Sequence, residues 1–191
     1  MNLPNFLTVC RFFLTVVMVS LLFWREGAWA PAAFPVFLVG SLTDYWDGRL
    51  ARQRNQITRF GTLMDPIADK ALTLGAFTSF WALGLVSGLW VLVVAVRDII
   101  VTVPRLFSAG KEPARAVRSS GKQKTAFQMI YISLVLAYVS ARRTSLWKVD
   151  WDPAALAFAE WGMILIAVLT IWSGLRVFFA SRPTMVQKPR E

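Results

Sequence analysis

Between residues 44 and 69 the chain gathers four aspartates, two glycines and four arginines inside an otherwise apolar sequence. The order is Asp44-Tyr-Trp-Asp47-Gly48-Arg-Leu-Ala51-Arg52, eight residues, then Gly61-Thr-Leu-Met-Asp65-Pro-Ile-Ala-Asp69. On a helix, Asp44, Asp47, Gly48, Ala51 and Arg52 fall at roughly 0, 300, 40, 340 and 80 degrees, so two carboxylates share a stripe with two small residues. Asp65 and Asp69 are four residues apart and also share a face. Pro66 suits the first turn of a new helix, which predicts Asp65 as its N-cap. Four converging carboxylates repel one another unless cations neutralise them. Ligation by oxygen alone selects hard ions, Mg²⁺ or Mn²⁺. Zinc chemistry is disfavoured, because the chain has no His and a single Cys. Gly48 and Ala51 leave the helix surface bare enough for a flat nucleotide to lie against the backbone. Taken singly, each aspartate could instead cap a helix or pair with Arg49, Arg52, Arg54 or Arg59 on a solvated loop.

Taken together, the eight fixed residues D-x-x-D-G-x-x-A-R, eight residues, G-x-x-x-D-x-x-x-D resemble the signature of the CDP-alcohol phosphotransferase family at every position. The resemblance implies an all-α integral membrane protein of six transmembrane helices, usually a homodimer. It also implies transfer of a phosphatidyl or similar group from a CDP-linked donor, here CDP-diacylglycerol, to an alcohol. Two ions, Mg²⁺ or Mn²⁺, would be held by Asp44, Asp47, Asp65 and Asp69, and Asp69 would be the base that deprotonates the attacking hydroxyl. Gly48 and Ala51 would admit the nucleotide, with Arg52 and Gly61 shaping its site. Further segments are similar to the branch of the family that uses glycerol 3-phosphate. They are Asn2-Leu-Pro4-Asn5-Phe-Leu-Thr8-Val-Cys-Arg11, the Asp69-Lys70 ending, Arg97-Asp98-Ile-Ile with Arg105, and Gly121-Lys122-Gln-Lys124-Thr125 with Gln128. A phosphorylated acceptor needs fixed cations beside the metals, and Arg105, Arg118, Lys122 and Lys124 are the candidates. Inositol phosphate or serine as acceptor would leave the chemistry otherwise the same.

These groups must be positioned by elements suited to lipid. At 191 residues the chain allows one domain, and 56% hydrophobic residues with a mean hydropathy of +0.52 exceed what a soluble domain of this size carries. Nine Trp and fourteen Phe fit a protein with aromatic residues near both membrane interfaces. Cys10 alone forms no internal disulfide and reads as a small apolar residue. An apolar run up to Trp24, broken only by Arg11, is long enough to span and lacks a signal-peptide cleavage site. Snorkelling to the surface is the expected fate of Arg11, ahead of turning inward to a phosphate. Further spans are predicted from about Ala32 to Arg52, Pro66 to Gly84, Trp90 to Phe107, Thr125 to Val139 and Ala154 to Phe179. Residues 1–180 would be embedded, and 181–191 would form a cytoplasmic tail. Arg97 and Asp98 lie within the fourth apolar run, where ionisable groups usually face protein or a cavity. For Arg97, a salt bridge that merely pins helices weighs equally.

Four cations lie between Arg49 and Arg59, five between Lys111 and Lys124, and three after Ala180; on the alternate side stand only Arg25, Arg142, Arg143 and Lys148. This excess predicts an inner-membrane protein with both termini and the aspartates on the cytoplasmic side. The net charge of +10 then follows from topology and anionic lipid, without nucleic acid. Clustered acids among six spans could also serve a divalent-cation transporter, and a lipid-binding scaffold is a further alternative. A transporter would be expected to hold its acids near mid-membrane, away from arginines.

Overall fold

The computed structural model describes residues 3–24, 28–54, 59–107, 115–143 and 151–180, with side chains for 8–24, 28–43, 64, 67–102, 124–142 and 151–176. Among the described residues six α-helices follow one another: α1 Leu3–Phe23, α2 Ala33–Arg54, α3 Arg59–Ala82, α4 Gly88–Phe107, α5 Arg115–Arg143 and α6 Pro153–Ala180. A single 3₁₀ turn at Ala30–Ala32 leads into α2, and no strand occurs among the described residues.

Two helices begin earlier than the sequence leads one to expect. Asp65 does not cap α3, because the helix starts at Arg59 and runs through Pro66. Proline in a helix interior removes one hydrogen bond, here to the Thr62 carbonyl, and membrane helices tolerate that loss when neighbouring groups compensate. Likewise α5 starts at Arg115, so Lys122 and Lys124 lie within a helix and not in a loop or at a helix start.

α1 packs against both α2 and α3, which meet each other only sparsely. The contact is close because two positions lack side chains. Leu14 and Leu72 converge over Gly40, and a Cβ at Gly75 would come 3.0 Å from Thr15 Cγ2. Small residues at such crossings let backbones approach where lipid supplies no hydrophobic drive. On the other side α6 packs against α4 and α5. Tyr131 of α5 ties this half to α3: its ring lies 6.3 Å from those of Phe77 and Phe80 and 6.4 Å from that of Phe158, and its hydroxyl donates to the Ala159 carbonyl at 2.6 Å.

α3 ends where Gly84 takes φ +74°, a value that side chains other than glycine rarely adopt. The Leu85 amide donates to the Phe80 carbonyl and the Gly84 amide to Trp81, which together satisfy carbonyls the helix leaves open. More polar contacts gather at this end of the molecule. Trp151 Nε1 donates to the Leu83 carbonyl at 3.2 Å, the Ser87 amide to Glu160 at 2.7 Å, and Arg142 pairs with Asp152 at 2.9 Å. From Lys124 to Arg142 α5 rises about 27 Å, close to the thickness of a hydrocarbon layer.

Lys124–Arg142 and Pro153–Arg176 are long and apolar enough to cross a membrane, and Thr8–Phe23 and Ala30–Thr43 are shorter apolar stretches. Large apolar side chains face outward throughout, among them Phe13, Leu92, Ile100, Leu134 and Trp161. Within α4 the pattern is sharp: Ile99 and Ile100 are exposed while Asp98 beside them is buried. An outside that is apolar and an inside that holds charge is the arrangement lipid favours.

Candidate active site

Asp44, Asp47, Gly48, Ala51 and Arg52 occupy the last turns of α2, and Gly61, Asp65 and Asp69 lie along the first turns of α3. Because both stretches are helical, the angular spacing that places the α2 residues on one stripe applies. Because α3 starts at Arg59, Gly61, Asp65 and Asp69 fall four residues apart on one face, spanning about 12 Å of helix. Only the four residues 55–58 separate the two helices, so Arg54 and Arg59 lie at most about 18 Å apart. Of the four aspartates, the side chain of Asp69 alone is among those described; those of Asp44, Asp47 and Asp65, and the side-chain surroundings of Gly48, Ala51, Arg52 and Gly61, lie outside them.

Asp69 opens onto a cluster of charges drawn from three helices. Its carboxylate lies 3.7 Å from the ammonium of Lys70, and both side chains are 23% exposed. Lys70 is closer still to Asp98 on α4, at 3.1 Å from Oδ2. The other oxygen, Oδ1, accepts from Arg97 Nη1 at 3.0 Å and from Lys124 of α5 at 2.5 Å. Asp98 itself is 2% exposed and Lys124 7%. One buried carboxylate is thus shared by three cations, and with Asp69 included the cluster carries three positive charges against two negative. A buried charge that loses its partner costs several kcal/mol, which explains why Asp98 is tied on both oxygens. Arg97 is held from behind as well: a Cβ at Gly174 of α6 would come 2.8 Å from its Nε.

Arg11 turns inward. It is 1% exposed on α1, which corrects the expectation that it snorkels. Of the four cations expected to act together on an acceptor phosphate, Lys124 is the one whose side chain is described, and it joins this cluster. Because the segment is helical, Lys122 and Lys124 occupy positions roughly 200 degrees apart around the axis of α5, whereas Arg118 and Lys122 share a face. The side chains of Arg105, Arg118 and Lys122 lie outside the described residues. One turn after Lys124 on its own face stands Gln128, 1% exposed, whose amide nitrogen and oxygen have no partner among the described residues.

Lys70 is the member of the cluster that the sequence does not single out as a site. It follows Asp69 directly, but its pairing with Asp98 depends on how α3 and α4 are rotated against each other. A buried acid in an apolar run demands cations, and that demand is the one signal in the sequence that leads to it.

Known proteins align with this chain over nearly its whole length. The model of the CDP-alcohol phosphatidyltransferase family matches residues 1–172. The CDP-diacylglycerol–glycerol-3-phosphate 3-phosphatidyltransferase of Escherichia coli strain K12 is 35% identical over 197 aligned positions, which cover 98% of each chain. Proteins of the same name from Shigella flexneri serotype 5b and Shigella boydii serotype 4 align with the same identity and coverage. With the aspartate order of α2 and α3 intact and a match of this extent, the chain belongs to the CDP-alcohol phosphatidyltransferase family.

Proposed function

We propose that this protein transfers the phosphatidyl group of CDP-diacylglycerol to glycerol 3-phosphate, giving phosphatidylglycerol phosphate and CMP. The observation that carries the reading is the 35% identity, over 98% of both chains, to an Escherichia coli protein whose name states that reaction. The donor's acyl chains would lie in the leaflet beside the outward apolar faces. Its cytidine diphosphate would reach the ends of α2 and α3, where Gly48 and Ala51 admit the nucleotide and Arg52 and Gly61 bound it. Asp69 accepts the proton of the acceptor's primary hydroxyl as that oxygen attacks the phosphorus bearing diacylglycerol. A new P–O bond forms, the P–O bond to CMP breaks with its electron pair leaving on CMP, and the proton passes from Asp69 to water.

The donor set of Asp44, Asp47, Asp65 and Asp69 is all oxygen and suits two Mg²⁺ or Mn²⁺ ions. When bound, such ions neutralise pyrophosphate charge and stabilise the departing oxygen. The acceptor's phosphate needs cations of the chain itself. Lys124 with Lys70 and Arg97 supplies a buried group with excess positive charge, and Arg105, Arg118 and Lys122 lie on the adjoining turns of α4 and α5. Residues 1–191 form one domain of six membrane-crossing helices with both termini and the aspartates on the cytoplasmic side of the inner membrane, and the working unit is a homodimer.

Purified protein in detergent with CDP-diacylglycerol and Mg²⁺ or Mn²⁺ is expected to release CMP when glycerol 3-phosphate is added. Release with serine or inositol phosphate, and none with glycerol 3-phosphate, would refute the acceptor and keep the reaction class.

A further inference from the structure

We infer that Gln128 is a specificity-determining residue whose side-chain amide holds the secondary hydroxyl of glycerol 3-phosphate. The inference rests on the acceptor named above. Gln128 is 1% exposed on α5, and neither its amide nitrogen nor its amide oxygen has a partner among the described residues. A buried amide in this state has given up its hydrogen bonds to water, so a fold keeps one where a ligand or an ordered water completes it.

The polar groups near this amide are already committed. Gln128 stands one turn, about 6 Å of helix, beyond Lys124 on the same face. Lys124 donates to Asp98, which Arg97 and Lys70 also hold. Thr73, one turn beyond Asp69 on α3, spends its hydroxyl on the carbonyls of Asp69 and Lys70, each at 3.2 Å. Farther along α5 the interior is apolar: Ile132 and Leu136 are fully buried, and Tyr131 gives its hydroxyl to the Ala159 carbonyl. Among the described residues, Gln128 is thus the uncommitted polar side chain on this face of α5 between the cations and the apolar core.

The chemistry of the amide selects the group it takes. Its nitrogen donates and its oxygen accepts, and a hydroxyl is a partner that can do both. A phosphate dianion only accepts, and cations meet it better. An ester carbonyl of the donor also only accepts, which would leave the amide oxygen unpaired. Glycerol 3-phosphate carries two hydroxyls, of which the primary one is the nucleophile. The secondary one, on the carbon between the reacting and the phosphate-bearing carbons, is free to meet the amide while the phosphate lies against the cations one turn away.

The test compares CMP release by the full chain in detergent with glycerol 3-phosphate and with propane-1,3-diol monophosphate, which keeps the primary hydroxyl and the phosphate but lacks the secondary hydroxyl. The unaltered protein is expected to prefer glycerol 3-phosphate by about a hundredfold or more in kcat/KM, because the analogue leaves the buried amide unpaired. Gln128→Met is close to glutamine in shape and lacks the amide. It should lose that factor with glycerol 3-phosphate and stay within about threefold of the original with the analogue, so that the two acceptors become nearly equal. The KM for CDP-diacylglycerol should stay within about twofold, and the melting temperature should not fall. Equal use of the two acceptors by the unaltered protein overturns the inference whether or not the variant folds. A Gln128→Met protein that keeps the preference overturns it too, as an amide completed by water alone would give. So do equal losses with both acceptors that track a lower melting temperature, the mark of a structural amide, and a raised KM for CDP-diacylglycerol alone, which would assign the amide to the donor. No CMP release from glycerol 3-phosphate by the unaltered protein defeats the acceptor reading, a failure distinct from these, and the inference falls with it.

Discussion

Asp69 has one acidic neighbour in sequence on its own helix face, Asp65, and one basic neighbour at its side, Lys70, and the two define different tasks. Replacing Asp69 by Asn should lower turnover by a factor of about 10² to 10⁴, the usual contribution of a positioned base, while CDP-diacylglycerol still binds. Asp44→Asn or Asp65→Asn should abolish turnover and weaken Mg²⁺-dependent donor binding, as measured by titration of the purified proteins. Full activity in the Asp69 variant would sink the assignment of the base. The helical placement of these residues, though not their roles, was legible in the sequence because their relation is local: fixed spacings along two stretches that the structure shows to be helical. The Lys70–Asp98–Lys124 group was not. Its members lie on three helices, and which of them meet depends on the rotation of each helix about its axis, which packing decides. Arg11 shows the same limit, since an arginine near a helix end can reach water or turn inward and only the neighbours choose.

At the scale of elements, α1 is the common support of the two aspartate-bearing helices. Gly75→Leu would push α1 off α3, because even its Cβ meets Thr15 at 3.0 Å. Overpacking of this kind costs roughly 1–3 kcal/mol. The variant should melt lower in detergent and lose CMP release together, since the face bearing Asp69 moves with α3. Gly84→Val, strained by its φ of +74° and set at the other end of the same helix, should lower the melting temperature but leave kcat of the surviving protein unchanged. Helix existence was readable from apolar runs, and helix starts were misread at Pro66. A proline ordinarily opens a helix, and nothing local to Asp65-Pro66 tells that placement from one inside a longer helix.

At the scale of the whole molecule, the described residues turn large apolar side chains outward and keep several charged groups inside, in keeping with the high apolar content of the chain. Orientation is a matter of charge. With Cys10 replaced by Ser, single cysteines introduced as Gln56→Cys and Ser119→Cys should react with an impermeant maleimide only from the cytoplasmic side. A cysteine introduced as Ser145→Cys should react only from outside. Reversed labelling in intact cells would overturn the orientation while leaving the chemistry untouched. What composition could not convey is that the two charges in the middle of α4 are enclosed by groups from α3, α5 and α6, so that their cost in an apolar surrounding is offset by contacts made far along the chain.

That enclosure bears on how the protein is made. On the topology proposed above, α4 leaves the ribosome carrying Arg97 and Asp98, and each charge raises the cost of entering the bilayer by roughly 2.5–3.5 kcal/mol when it stands alone. As sequence neighbours paired at 3.0 Å they can enter as a near-neutral couple. Lys70 is already present on the preceding helix, so a hairpin of α3 and α4 can satisfy Asp98 before α5 is synthesised. α5 then arrives with Lys124 and takes up the oxygen that Arg97 already touches, which completes the set of partners around Asp98 before α6 closes over Arg97.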